Sequence, residues 1–111
     1  MVNINFNREF YKPIIDGVKT QTLRHKRIPD LKRYDFAVCT FNDCPENIFI
    51  TITDMGYKLY RDLTLADAER EGYDSVAELK NTLLRFYPDL NQWDRLYYYR
   101  FQVEGITETV R

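Results

Sequence analysis

The sequence predicts a single α+β domain, a mixed or antiparallel sheet curling into a small barrel flanked by about three helices. Three observations carry that expectation. Segments rich in aromatic and β-branched residues follow one another too closely for helical crossovers, which argues against a parallel sheet. Two stretches in the second half, opening at Thr64 and Ser75, carry helix N-cap signatures. The 111 residues suffice for one compact domain and not two, so the expected unit is residues 1–111.

Asn3 to Phe6 alternates polar and apolar residues and reads as a short first strand. A short helix near Lys12 to Asp16 follows, with Phe10, Ile14 and Ile15 as its buried stripe and Gly17 as its stop. Pro13 keeps it short, because proline fits only the first turn of a helix. Thr20 to Arg24 is a strand, and His25 to Tyr34 a charged connection. Phe36 to Phe41 and Phe49 to Thr53 form a hairpin around the turn residues Asn42 to Asn47, and Tyr57 to Tyr60 adds a further strand. Thr64, with Asp67 three residues on, caps a helix from Leu65 to Glu71 that Gly72 closes. Ser75 and Glu78 box a second helix, whose Val76, Leu79, Leu83 and Phe86 share one face, and Pro88 ends it. Leu96 to Val103 is the last strand, with Tyr97, Tyr99 and Phe101 on one face and Tyr98 on the other.

Hydrophobic residues make up 44% of the chain and charged residues 30%, ordinary values for a globular domain that needs no metal or disulfide to stand alone. Met1 to Phe6 holds no apolar run able to act as a signal or membrane span, so a cytoplasmic monomer without membrane contact is expected. With two cysteines and one histidine, two free thiols are expected. No metal and no other cofactor is expected either, since a zinc centre wants three or four ligands. The net charge of −1 gives no global attraction to nucleic acid, yet basic residues crowd the stretch from Lys19 to Arg33. That crowding reads either as a solvated loop or as a rim for RNA or a nucleotide.

Gly17-Val18-Lys19-Thr20-Gln21-Thr22-Leu23-Arg24 is the most informative stretch. An ammonium, two hydroxyls and a guanidinium along eight residues suit a polar or anionic ligand better than a structural strand. In a regular strand Thr20, Thr22 and Arg24 share a face, whereas positions 19 and 22 do not. Lys19 therefore meets Thr22 only if it lies in the irregular turn after Gly17 or if a bulge intervenes. Each residue also has a bland reading: Thr22 as a β-former with a hydrogen-bonded hydroxyl, Arg24 as a surface ion pair.

Gly17-x-Lys19-Thr20-x-Thr22-x-Arg24 is similar to the signature of the ASCH domain family, small barrels related to the PUA RNA-binding fold. Ala68-Glu69-Arg70-Glu71-Gly72-Tyr73, then Glu78-Leu79, Tyr87-Pro88 and Tyr97 to Phe101, resemble later family elements in the same order. One departure is Tyr34-Asp35, where the family often has Gly-Asp. Within the family the chain most resembles bacterial N(4)-acetylcytidine amidohydrolases. The resemblance implies a metal-free hydrolase that removes the acyl group from a modified nucleoside, with Thr22 as nucleophile, Lys19 as activating amine and Glu71 as carboxylate. Arg24 and Thr20 are then candidates to bind the substrate. A non-catalytic RNA-binding module and a ribonuclease are the competing activities, since a fold hosts more than one function.

Overall fold

In the computed structural model, which describes residues 1–108, β1 (Val2–Phe6) begins the chain with Ile4 and Phe6 turned inward. A 3₁₀ turn at Arg8–Phe10 leads into α1 (Tyr11–Ile15), which has Pro13 in its first turn and ends ahead of Gly17, at φ +75°. There follow β2 (Gln21–Arg24), β3 (Phe36–Phe41), β4 (Cys44–Leu59), α2 (Leu65–Arg70), α3 (Val76–Phe86) and β5 (Arg95–Glu108). The five strands form one curled sheet in the order β1-β3-β4-β5-β2. Only β1–β3 is parallel, and the other pairs are antiparallel. The α+β expectation, a half-closed barrel with helices packed on it, is what the chain adopts.

The last strand is longer than the expected Leu96 to Val103, running from Arg95 to Glu108, and three other departures from the expectation have a local reason. The β3–β4 turn is only Asn42-Asp43, with Phe41 opposite Cys44 and Asp43 at φ 56°. Two residues that tolerate the left-handed region are enough for a hairpin, and Pro45 is accommodated near the strand's start. Tyr57 to Tyr60 is not a separate strand, because β4 runs on through Asp54-Met55-Gly56 to Leu59. A register shift between Ile52 and Asp54 bends it there. Gly56 is not a break but a clearance: a Cβ would lie 2.7 Å from the Tyr98 hydroxyl. Thr20 falls outside β2, which starts at Gln21.

Tyr34 takes φ 74°, a left-handed value that costs a bulky residue about 1–2 kcal/mol. This is the position where a glycine would sit without strain. The turn is secured by Tyr34 N–H donating to Ile52 O and Ile52 N–H donating to Asp35 O.

Two apolar clusters flank the sheet. The larger gathers Ile4, Phe6, Ile14, Ile48, Ile50, Ile52, Tyr99 and Phe101, with Tyr97 packed against it. The smaller holds Leu23, Leu63, Ala68, Leu79, Leu83 and Leu96, with Tyr98 against it. The alternation along β5 thus serves both clusters, odd residues on one face and even residues on the other.

α2 owes its start to a capping box. Thr64 accepts from Asp67 N–H, and the buried Asp67 Oδ2 accepts from Thr64 N–H (3.0 Å), Thr64 Oγ1 (2.9 Å) and Lys58 Nζ (2.7 Å). Burial alone would raise the Asp67 carboxyl, but the bonds from Lys58 and Thr64 outweigh it and hold the group below its ordinary 3.8. A lowered carboxyl stabilises the fold above the unfolded value and loses that contribution as pH falls through the folded one. Asp67→Asn is therefore expected to lower stability by about 1–3 kcal/mol at pH 7. Denaturant titrations should show the gap to the unsubstituted protein closing as pH approaches 2. A gap that persists there would mean Asp67 acts through shape and not through charge.

Among the described residues no helix is long and apolar enough to cross a membrane.

Candidate active site

The barrel is open between its edge strands β1 and β2, and the opening is a cavity of about 200 Å³. Asn5, Phe6 and Asn7 line one side, Lys19, Thr22 and Arg24 the other, and α3 closes it with Leu79, Thr82, Leu83 and Phe86. Arg24 crosses the gap. Its Nη2 donates to Asn5 O at 3.0 Å, its Nε donates to Thr22 Oγ1 at 3.1 Å, and its guanidinium lies 4.7 Å from the Phe6 ring centre.

Lys19 sits before β2 and not within it. After Gly17 the N–H groups of Val18 and Lys19 both donate to Pro13 O at 2.9 Å, and Thr20 N–H donates to Arg70 O at 2.7 Å. This irregular turn frees Lys19 from strand parity, so it lines the same cavity as Thr22. Thr20 does the reverse. Its side chain is exposed and lines no part of the cavity, so the expectation that it shares a face with Thr22 and Arg24 fails because the strand begins one residue later.

Glu71 arrives from the opposite direction, as the C-cap of α2. Gly72, at φ +91°, turns the chain so that Tyr73 N–H donates to Ala68 O and Gly72 N–H to Glu69 O, the Schellman pattern. A side chain at position 72 would press on Val18, 3.3 Å from a Cβ. The turn aims Glu71 at the sheet, where its Oε1 accepts from Lys19 Nζ at 2.9 Å with both side chains about 5% exposed or less. The Lys19 ammonium also lies 5.2 Å from the Phe10 ring centre. Burial pushes the Glu71 carboxyl above its ordinary 4.5, opposed by Lys19, the neighbouring Gln21 amide and Arg24.

The chemistry available follows from these contacts. Thr22 accepts from Arg24, so its own hydroxyl hydrogen is directed elsewhere, and the adjacent guanidinium favours an alkoxide electrostatically. Neither cysteine lines the cavity, and burial pushes the Cys39 thiol up to about 12. His25 is held away at the edge, against Tyr87 and 3.8 Å from Asp94. No cluster of three or more His, Cys, Asp or Glu is placed to hold a metal among the described residues.

No protein-family model and no curated protein matches the sequence. Solved structures do. A protein of Enterococcus faecalis from family DUF984 superposes with a TM-score of 0.80 at 13% identity, covering 96% of this chain and 77% of that one. The ASCH domain of Lactobacillus crispatus gives 0.68 at 19% identity, covering 83% and 68%. The ASCH protein of Zymomonas mobilis gives 0.65 at 20%, covering 90% and 65%. The chain has the ASCH fold.

Lys19, Thr22 and Arg24, from the turn before β2 and β2 itself, and Glu71, from the end of α2, meet at one cavity although they come from separate parts of the sequence. The sequence reading missed Gln21, fully buried between Thr20 and Thr22. It also missed the aromatic walls Phe10, Phe86 and Tyr87, of which Phe10 and Phe86 had been assigned to helix stripes. No periodicity separates a residue that faces a core from one that faces a hollow beside it.

Proposed function

We propose that the chain is an ASCH-family amidohydrolase that removes the acyl group from an N(4)-acylated cytosine nucleoside, with Thr22 as nucleophile and the Lys19–Glu71 pair as its base. The observation that supports this reading is a buried ammonium–carboxylate pair lining the same cavity as a hydroxyl. Taking an ion pair out of water costs several kcal/mol per ion. In such a site the proton-transferred form, neutral lysine and protonated glutamate, gains on the charged form. The reading requires Lys19 to act as an amine, which takes the Thr22 proton where an ammonium does not.

The reaction closes in two halves. Thr22 Oγ1 bonds to the acyl carbon while its proton passes to Lys19 Nζ. The carbon–nitrogen bond breaks, and that proton leaves with the exocyclic amine, freeing cytidine. Water then attacks the threonine ester, its proton returns through Lys19 to Thr22 Oγ1, and the carboxylic acid departs. Arg24 carries no hydrogen bond on Nη1 among the described residues and is the group to meet the oxyanion.

Size supports a small substrate. A cavity of about 150 Å³ holds benzene, so about 200 Å³ takes one substituted ring between Phe10, Phe86 and Tyr87. The alternative, RNA held along the basic stretch, loses several of its cations to internal work. Lys19 is paired with Glu71, Arg24 is tied across the barrel opening, and Arg33 is paired with Asp54 at 2.8 Å.

The test is incubation with N(4)-acetylcytidine and chromatography for cytidine. Turnover is expected, unchanged by a chelator. No turnover above a Thr22→Ala control removes the reading, and loss in chelator with recovery on zinc removes its metal-free chemistry.

A further inference from the structure

One buried side chain beside the pair has no part in the reaction just described. Gln21 is completely buried on β2, between the exposed Thr20 and the cavity-lining Thr22. Its Oε1 accepts from Arg100 Nε at 3.1 Å, across the register pair Gln21–Arg100 of β2 and β5. Arg100 is itself held, with Nη1 3.3 Å from Asp54 Oδ2 and its guanidinium 4.7 Å from the Tyr98 ring centre. Arginine offers donors only, so the amide atom facing it must be the oxygen. That fixes the amide's orientation and leaves Nε2 on the other side, with no hydrogen-bond partner. Glu71 Oε2 is the matching orphan: buried, and likewise without a partner. A donor and an acceptor buried without partners each carry a cost, and the Gln21 amide is among the groups that act on the Glu71 carboxyl.

We propose that Gln21 is a positioning residue of the Lys19–Glu71 pair, its carboxamide clamped by Arg100 so that Nε2 addresses Glu71 Oε2 while Oε1 of Glu71 holds Lys19. Its catalytic meaning rests on the amidohydrolase reading; its electrostatic meaning does not. The other charged or titratable groups acting on Glu71 are Lys19 from the turn before β2, Arg24 from β2 and Tyr73 from the loop after α2. Gln21 is the donor that stabilises the carboxylate without adding charge. It therefore sets how acidic the solution must become before Glu71 is protonated beside a charged Lys19, the state in which the pair has no base to offer.

The experiment follows the Glu71 side-chain carboxyl by carbon-13 NMR across pH, in the unsubstituted protein, Gln21→Met, Arg100→Met and the double variant. Gln21→Met keeps length and removes the donor. It is expected to move the Glu71 midpoint upward by about one pH unit, the scale of one hydrogen bond to a charged group. Arg100→Met should move it the same way by unlocking the amide, with little further shift in the double variant. The acidic limb of N(4)-acetylcytidine turnover should follow the midpoint. An unmoved midpoint in Gln21→Met overturns the proposal, as does a full Arg100→Met shift in the Gln21→Met background. Should Gln21→Met not fold, an unmoved midpoint in Arg100→Met overturns it equally. If the unsubstituted protein turns over no substrate, the amidohydrolase reading fails and the NMR titration still decides on Gln21.

Discussion

Lys19→Met is expected to destabilise the protein by about 3–5 kcal/mol at pH 7, because it strands Glu71 as a buried carboxylate without its cation. For a chain of this length that is a fall of roughly 10–20 °C in melting temperature. Glu71→Met strands the ammonium instead and should cost a similar amount. The double variant Lys19→Met/Glu71→Met removes both charges and fills the space with apolar volume. It is expected to match the unsubstituted protein or exceed it by about 1–4 kcal/mol, while having no activity. The sign with pH is also fixed. Burial lifts the Glu71 carboxyl above its ordinary 4.5, so the folded chain keeps that proton longer than the unfolded one. This group's contribution to stability is complete below about 4.5 and is lost as pH rises through the folded value. Lys19→Met should exaggerate that slope, so denaturant titrations at pH 5 and pH 8 should differ more for it than for the unsubstituted protein. Single-variant losses that simply add in the double variant would show that the two side chains do not act as a pair.

Thr22→Ala is expected to lower turnover of N(4)-acetylcytidine about 10⁴–10⁶-fold with little change in KM, the span seen when a nucleophile is removed from a machinery that acts as a unit. Lys19→Arg should be nearly as inactive, since a guanidinium keeps the charge opposite Glu71 but does not release a proton in the working range. Glu71→Gln keeps the shape and should lose about 10²–10⁴-fold. Intact-mass and peptide analysis of a quenched reaction should find the acyl group on Thr22 in the unsubstituted protein and in no Thr22→Ala sample. Normal turnover in Glu71→Gln beside an inactive Lys19→Arg would reduce the machinery to Thr22 and Lys19. A Thr22→Ala variant with ordinary kcat would transfer the attack from the threonine to an activated water.

The legible parts of this chain were those governed by local chemistry. Thr64 and Ser75 announced α2 and α3 because a cap is a contact between residues three apart. Gly17 and Gly72 marked helix ends because only glycine takes those φ values at no cost. The requirement that Lys19 lie outside the strand to meet Thr22 was likewise legible, as a consequence of strand parity, and that is where Lys19 lies. What stayed hidden depends on partners distant in sequence. Nothing near Gly56 in the sequence shows that Tyr98 lies over it. Gln21 is one more strand residue until its register with Arg100 shows which way its amide is turned. Thr20 was assigned to a shared face by counting twos from a start that is one residue too early.

The gap between β1 and β2 has a consequence for how this molecule can change over generations. Its chemical side is carried by backbone that cannot drift freely: the turn around Gly17, the short β2 and the Schellman turn at Gly72. The facing side is the exposed-to-buried shoulder of α3, where Thr82 and Phe86 line the hollow yet belong to no fully buried cluster. Substitutions on that shoulder reshape the hollow while Lys19, Thr22 and Glu71 stay in register. Under the amidohydrolase reading proposed above, choice of substrate and capacity for the reaction would thus be inherited on separate pieces of chain, and one could be reshaped without the other.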